Sequence, residues 1–280
     1  MSPLMATWWV NHASLPSCPD TESCQMTRTH RPLTTLTLVL ALSVFSVFTP
    51  SHADTSKPSF QMPDLREHPA GSDRKIAFFN LMIPLIEKAN DEIQNDRVWL
   101  THMRDQKRWT TDSRQRLSSI CSDYGLSCKS EKDVDWSTLL ARVDTVPIQL
   151  VLIQAVEESG WGTSRFAREG NNLFGMRCFG DSCGLEQIGT GSGYQSFATV
   201  YDGIEAYMRN LNTHRAYGHL RERRAALRDK GKNVNALALI PSLQNYSIRG
   251  DAYLAALQSL LNTNAPLIEE MRVQESDDPA

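Results

Sequence analysis

Between Ile148 and Val156 the chain is apolar at every position except Gln149 and Gln154. A helix that is apolar on all sides is buried rather than amphipathic, so this pattern predicts a core helix over 147–159. Asp144 and Thr145 are candidate caps, and Pro147 suits a first turn, where the N–H it lacks would be unpaired anyway. The run closes on Glu157, Glu158 and Ser159 and turns through Gly160, Trp161 and Gly162. Glu158 stands seven residues after Val151, and Glu157 seven after Leu150, so periodicity does not decide which acid faces inward.

Upstream, Phe79, Ile86, Ile93 and Leu100 recur at seven-residue steps, with Ile83 and Met103 beside them. This predicts a long helix, kinked or restarted at Pro84. Such spacing suits either a coiled-coil dimer or a helix laid against the core, and the single clean seam favours the core. Shorter helices are expected at 111–124, 135–143, 164–168, 203–215, 217–230, 233–239 and 250–262. Between 171 and 199 six glycines punctuate short apolar pieces, which makes this the place for β-hairpins. The pattern therefore predicts an α+β, mainly α-helical chain with a small β-hairpin lobe.

The first segment reads differently. Arg28, His30 and Arg31 precede an apolar run from Leu33 to Phe48, and Ser51-His52-Ala53 is a small-x-small cleavage pattern. Residues 1–53 thus read as a secretory signal peptide, with Met26 a candidate start; an uncleaved anchor is the alternative, disfavoured by the short run. Residues 54–72 form a polar, proline-containing leader. The divisions expected after it are an N-terminal helical extension at 73–143, a catalytic core at 144–265 and a polar tail at 266–280.

The formal net charge of −3 gives no sign of a nucleic-acid partner. One basic run, Arg221, Arg223, Arg224, Arg228, Lys230 and Lys232, reads as a solvated helix face; attraction to anionic cell-wall or lipid groups is the second reading. Membrane contact is expected only through the signal segment, and the oligomeric state is not legible. Four of the six cysteines follow residue 53, an even number in an exported chain, which suggests disulfides. Short spacings favour Cys121–Cys128 and Cys178–Cys183, with the two other connectivities still open. Nothing has zinc-ligand spacing: there is no Cys-x-x-Cys, and His214 and His219 are five apart. No metal and no cofactor is expected.

A carboxyl at the end of a buried helix has its pKa raised by desolvation and by the partial negative charge of the helix C-terminus. Shielded by an indole such as Trp161, it would keep its proton near neutral pH, as a glycosidase general acid must. Solvated helix-end acids are the plain alternative. Here a resemblance bears on the choice. Glu158-Ser159-Gly160-Trp161-Gly162, then Ser164-Arg165-Phe166-Ala167, then Asn171-Asn172-Leu173-Phe174-Gly175, with Cys178 and Cys183 next and Tyr246 and Tyr253 near the end, resemble the bacterial β-N-acetylglucosaminidases of glycoside hydrolase family 73, in particular their Bax-type branch. The resemblance implies a lysozyme-like fold and hydrolysis of β-1,4 bonds beside N-acetylglucosamine in peptidoglycan strands, with Glu158 as catalytic acid and Glu157 as runner-up.

Such hydrolysis also needs stabilisation of an oxocarbenium-like centre, commonly by a second carboxylate. Asp181, Glu186 and Asp202 lie in or beside the glycine-rich stretch, and the resemblance points to Glu186. An acetamido oxygen of the substrate is the other route, with a tyrosine placing it or the attacking water; Tyr246, in a loop, is favoured over Tyr253 in the last helix. Trp161, Asn171, Asn172, Phe174 and Tyr253 are candidate substrate-binding residues, with Tyr194 and Phe197 weaker ones. The expected activity is an exported, periplasmic endo-β-N-acetylglucosaminidase. A lytic transglycosylase using the same Glu158 and a non-catalytic wall-binding module are the alternatives.

Overall fold

The structure is a computed structural model that describes residues 62–178, 184–186 and 193–277, without the side chains of 274–277. The signal segment, most of the leader, Asp181 and Cys183 lie outside the described residues. The helices are α1 (Ser72–Arg104), α2 (Thr111–Asp123), α3 (Trp136–Arg142), α4 (Ile148–Ser159), α5 (Arg165–Gly170), α6 (Val200–Thr213), α7 (Gly218–Asp229), α8 (Ala236–Leu239) and α9 (Asp251–Asp277). Between α5 and α6 lie three two-residue strands, β1 (Arg177–Cys178), β2 (Leu185–Glu186) and β3 (Gly193–Tyr194). They form an antiparallel sheet in the order β1-β3-β2. The molecule is thus α+β and mainly helical. No described helix is long and apolar enough to cross a membrane.

The apolar run forms the buried centre. Leu150, Val151, Leu152, Ile153 and Ala155 of α4 are no more than 1% exposed, and α4 packs on α1, α8 and α9. On α1, Phe78, Phe79, Met82, Ile83, Ile86 and Ala89 join the same core. The helix runs through Pro84 without a break, and its apolar seam is spent on α4, α6 and α9 and, at Leu100, on the side chains around Cys121. The boundary expected at 143/144 therefore runs through one continuous core. A second, smaller cluster gathers Leu100, Leu117, Ile120, Tyr124, Leu139 and Val143 around Cys121, which is disulfide-bonded to Cys128. At the other end, α9 carries Ile268 and Met271 into the main core, so the expected polar tail begins as packed helix.

Two local expectations change. Asp144 does not cap α4, whose N-cap is Pro147 without a side-chain bond. It is 1% exposed and is a hub for arginines: Arg228 lies 2.6 Å away, Arg224 3.3 Å and Arg97 3.8 Å. Arg224 is fully buried and also donates to Asn212 Oδ1 and to the carbonyls of Ala141, Asp144 and Thr145. Arg221 is 9% exposed and holds the carbonyls of Leu211 and His214. The basic run is therefore only partly a solvated face: two of its arginines bind the ends of α3 and α6 to α7, since a buried guanidinium must find acceptors.

After α4 the chain turns back against α1. Trp161 has a φ of 60°, uncommon for a bulky residue, and its ring packs edge-on to Phe78 and Phe79 at 5.7 and 5.5 Å. Gly162 holds a φ of 72°, a backbone conformation that favours glycine, and packs its bare Cα against Met62 and Leu65.

Candidate active site

A cavity of about 720 Å³ opens between the small sheet and the 243–250 loop. Phe174 and Asn172 lie at its base, Arg177 and Tyr194 on the sheet side, and Tyr246, Ser247 and Ile248 opposite. Glu158 is the one carboxylate in its lining among the described residues.

The geometry distinguishes the two acids that close α4. Glu157 forms an ion pair with Arg249. Glu158, one position on, faces the cavity. Burial is the main cause raising the Glu158 pKa, and the negative charge of Glu157 adds to it; the Tyr253 hydroxyl and Arg249 oppose them. Trp161, expected to shield this acid, packs on α1 instead and is absent from the cavity lining. The aromatic lining is Phe166, Phe174, Tyr194, Tyr217 and Tyr246. Phe174 is 1% exposed and stacks on Tyr207 at 3.9 Å. Gly175, with a φ of 62°, brings bare backbone against the carboxyl: a Cβ there would lie 3.1 Å from Glu158 Oε2.

The Tyr246 hydroxyl donates to the Phe174 carbonyl at 2.9 Å and is thereby committed to backbone. Tyr253, on α9 and 1% exposed, has its hydroxyl on the side of Glu158, where it favours the charged form of that carboxyl. Its ring stacks on Tyr246 at 5.6 Å. Gln154 Nε2 donates to the same hydroxyl at 3.0 Å, while Gln154 Oε1 accepts from Tyr207.

The asparagines serve the turn. Asn172 donates to the carbonyls of Met176 and Gln195 and accepts from the amides of Phe174 and Met176, which uses its full amide capacity. It lines the cavity with nothing left to give a sugar. Asn171 ties Met62 to Phe197 and Ala198 and does not line the cavity.

Glu186, expected as the second carboxylate, is not brought to the first. Paired residues of an antiparallel sheet share a face and successive ones alternate. Arg177, Tyr194 and Leu185 form one cross-strand row, and Cys178, Gly193 and Glu186 the next. Arg177 and Tyr194 line the cavity, so exposed Glu186 points to the other face from the outer strand. Asp202 is spent in the capping box of α6 with Thr199. Cys178 is disulfide-bonded; its expected partner, Cys183, lies outside the described residues. Phe197 is not among the lining residues, whereas Tyr194 is, stacked on Phe166 at 4.0 Å.

Residues at or behind the cavity that escaped the sequence reading include Gln154, Arg177, Asn210 and Tyr217. For Gln154 a signal existed, a polar residue in a buried apolar run one turn before Glu158. Arg177 and Asn210 gave none, since single polar residues are common on the surfaces of strands and helices alike.

Comparison with known proteins bears on this cavity. The glucosaminidase family, described as mannosyl-glycoprotein endo-beta-N-acetylglucosaminidase, matches residues 135–265. The chain is 39% identical to Protein bax of Escherichia coli (strain K12) over 218 residues, 78% of this chain and 79% of that protein. No solved structure matches. Glu158 and every other residue of the cavity fall inside the family match, so the chain belongs to the Bax-like glucosaminidase-domain proteins, a family of glycosidase type.

Proposed function

We propose that the protein is an exported hydrolase that cleaves β-1,4 bonds at N-acetylglucosamine in peptidoglycan, with Glu158 as general acid. The observation that carries this reading is Glu158 itself, the one carboxylate lining the described cavity, with a pKa raised by burial. A carboxyl that holds its proton can give it to the glycosidic oxygen as the C1–O bond breaks. With Glu186 turned away, the described cavity supplies no partner acid, which favours attack on C1 by the substrate's own acetamido oxygen. Water then opens the resulting ring, its proton returns to Glu158, and the configuration is retained.

Export is supported by the basic-then-apolar segment at 28–48 and by the Cys121–Cys128 bridge, since disulfides persist in oxidising compartments such as the periplasm.

A lone carboxylate also suits a lytic transglycosylase, in which an internal hydroxyl replaces water. Digestion of purified peptidoglycan, with products identified by mass spectrometry, separates the readings. Fragments with reducing N-acetylglucosamine, absent with Glu158→Gln, support the hydrolase. Anhydromuramic acid ends would replace it with the transglycosylase. Binding without release would replace it with a wall-binding module.

A further inference from the structure

Ser247, Ile248, Arg249 and Gly250 make a tight turn at the rim of the cavity. The Gly250 amide donates to the Ser247 carbonyl at 3.1 Å, and the Ser247 hydroxyl accepts from the Arg249 amide at 3.3 Å. Ile248 therefore stands at a corner of the turn. Its side chain is fully exposed, whereas the other exposed large apolar residues among those described, Ile76, Val98, Leu237 and Val273, are 41–58% exposed. Turn corners favour glycine, proline, asparagine, aspartate and serine, each for its backbone or its short polar side chain. A β-branched aliphatic residue meets none of these preferences, and here it adds nothing to the core. Departures from local sequence rules of this kind concentrate at functional sites. Ser247 and Ile248 line the same cavity as Glu158.

The turn is fastened on both sides of Ile248. Before it, the Tyr246 hydroxyl donates to the Phe174 carbonyl at 2.9 Å, and the Tyr246 ring stacks on Tyr253. After it, Arg249 pairs with Glu157, and its guanidinium lies 5.9 Å from the centroid of the Tyr253 ring. Both anchors lead to the acid: Phe174 precedes Gly175, whose backbone lies against the Glu158 carboxyl, and Glu157 precedes Glu158 itself. Ile248 thus has a defined place relative to Glu158 although its own side chain is bare.

We infer that Ile248 is a specificity-determining residue of the site, which lays its aliphatic side chain against the C–H face of a sugar ring bound in the cavity. The inference rests on the glycan reading of that cavity. In a β-1,4-linked N-acetylglucosamine strand the ring substituents are equatorial, so each face of the ring presents axial C–H groups. Such a face matches an aliphatic surface as well as an aromatic one. On the sheet side the cavity supplies the aromatic counterpart, Tyr194, stacked on Phe166 at 4.0 Å. When the strand binds, water leaves the isoleucine and the C–H face together, so the contact favours binding without involving charge.

Because Ile248 supports nothing in the fold, replacing it separates binding from folding. Calorimetry reads the binding of a neutral N-acetylglucosamine tetramer to Glu158→Gln, alone and combined with Ile248→Ser or Ile248→Val. Ile248→Ser is expected to weaken binding about tenfold, the scale of covering most of one aliphatic side chain, and Ile248→Val to stay within about threefold of its background. The loss should be the same at low and high salt, unlike one caused by disturbing the Arg249–Glu157 pair. Kinetics on peptidoglycan read the contact in the active protein: Ile248→Ser should raise KM about tenfold and change kcat less, with the melting temperature unaltered. Tetramer binding or KM within about twofold of the unsubstituted background overturns the inference. A loss as deep in Ile248→Val as in Ile248→Ser also overturns it, because apolar contact area would then not be what the strand reads. Failure of the proposed function looks different: a parent that digests no peptidoglycan, with a Glu158→Gln protein that binds no tetramer, defeats the glycosidase reading and this inference together.

Discussion

The carboxyl of Glu158 and the backbone of Gly175 are in such close approach that a Cβ on Gly175 would lie 3.1 Å from Oε2. The Asn-Asn-Leu-Phe-Gly turn thus ends against the acid, and Gly175 holds a φ of 62° that L side chains rarely adopt. Gly175→Ala is expected to displace the carboxyl and to cost about 1–2 kcal/mol of stability through the left-handed backbone. Peptidoglycan digestion should fall by up to about tenfold, since a catalytic group misplaced by about 1 Å costs about a hundredfold and the shift here is smaller. A variant of unchanged kcat would show that Glu158 tolerates another position.

Replacing the acid has two separable consequences. Glu158→Gln should lower activity by about 10²–10⁴-fold. It should also raise the melting temperature at neutral pH. Burial lifts the native pKa above the unfolded value of 4.5. The native state then binds the proton more tightly, an advantage present below the unfolded pKa and lost as pH rises through the native one. Above that range the charged carboxylate burdens the fold, and glutamine relieves it. Calorimetry of both proteins should find the gap wide at pH 7 and narrowing towards pH 4; a parent more stable than Glu158→Gln at pH 7 would contradict this account.

Arg177 is the one cation in the described lining. It is exposed and lies against Tyr194, 5.3 Å from the ring centroid. Peptidoglycan carries free carboxylates on its stem peptides, and neutral N-acetylglucosamine oligomers do not. Arg177→Ala is expected to raise KM for peptidoglycan about tenfold, the scale of one charge-assisted hydrogen bond, with kcat near parent and neutral oligomers unaffected. Equal losses on both substrates would assign Arg177 to the sheet rather than to recognition.

Asp144 sits 1% exposed against three guanidinium groups. Asp144→Asn leaves buried Arg224 without its counter-charge and should cost about 3–5 kcal/mol, measured by urea unfolding. Adding Arg224→Met should recover much of that loss. A single variant within about 1 kcal/mol of the parent would show that the carbonyls around Arg224 suffice alone.

What the sequence made legible was what local pattern encodes. Helix α4, its neighbours and the glycine-punctuated strands stand close to the expected positions, because aliphatic runs and breakers act within a few residues. The fates of Trp161, Arg224, Glu186 and Tyr253 were not legible. Each depends on a partner far along the chain: Trp161 on Phe78 and Phe79, Arg224 on Asp144, Glu186 on strand register, and Tyr253 on Gln154. Exposure on loops argued for Tyr246, yet its hydroxyl is taken by the Phe174 carbonyl. A basic run looks solvated until the acid that buries it is known.

The family match begins at residue 135, yet the floor beneath α4 is laid by Phe78, Phe79, Met82, Ile83 and Ile86, more than forty residues earlier. The stretch that the family match covers and the stretch that can stand alone in water are therefore different lengths. A fragment cut to 135–265 would carry the acid, the tyrosines and the small sheet, and would present the aliphatic flank of α4 to solvent. Such a fragment would aggregate before its chemistry could be assayed, and silence from it would say nothing about Glu158.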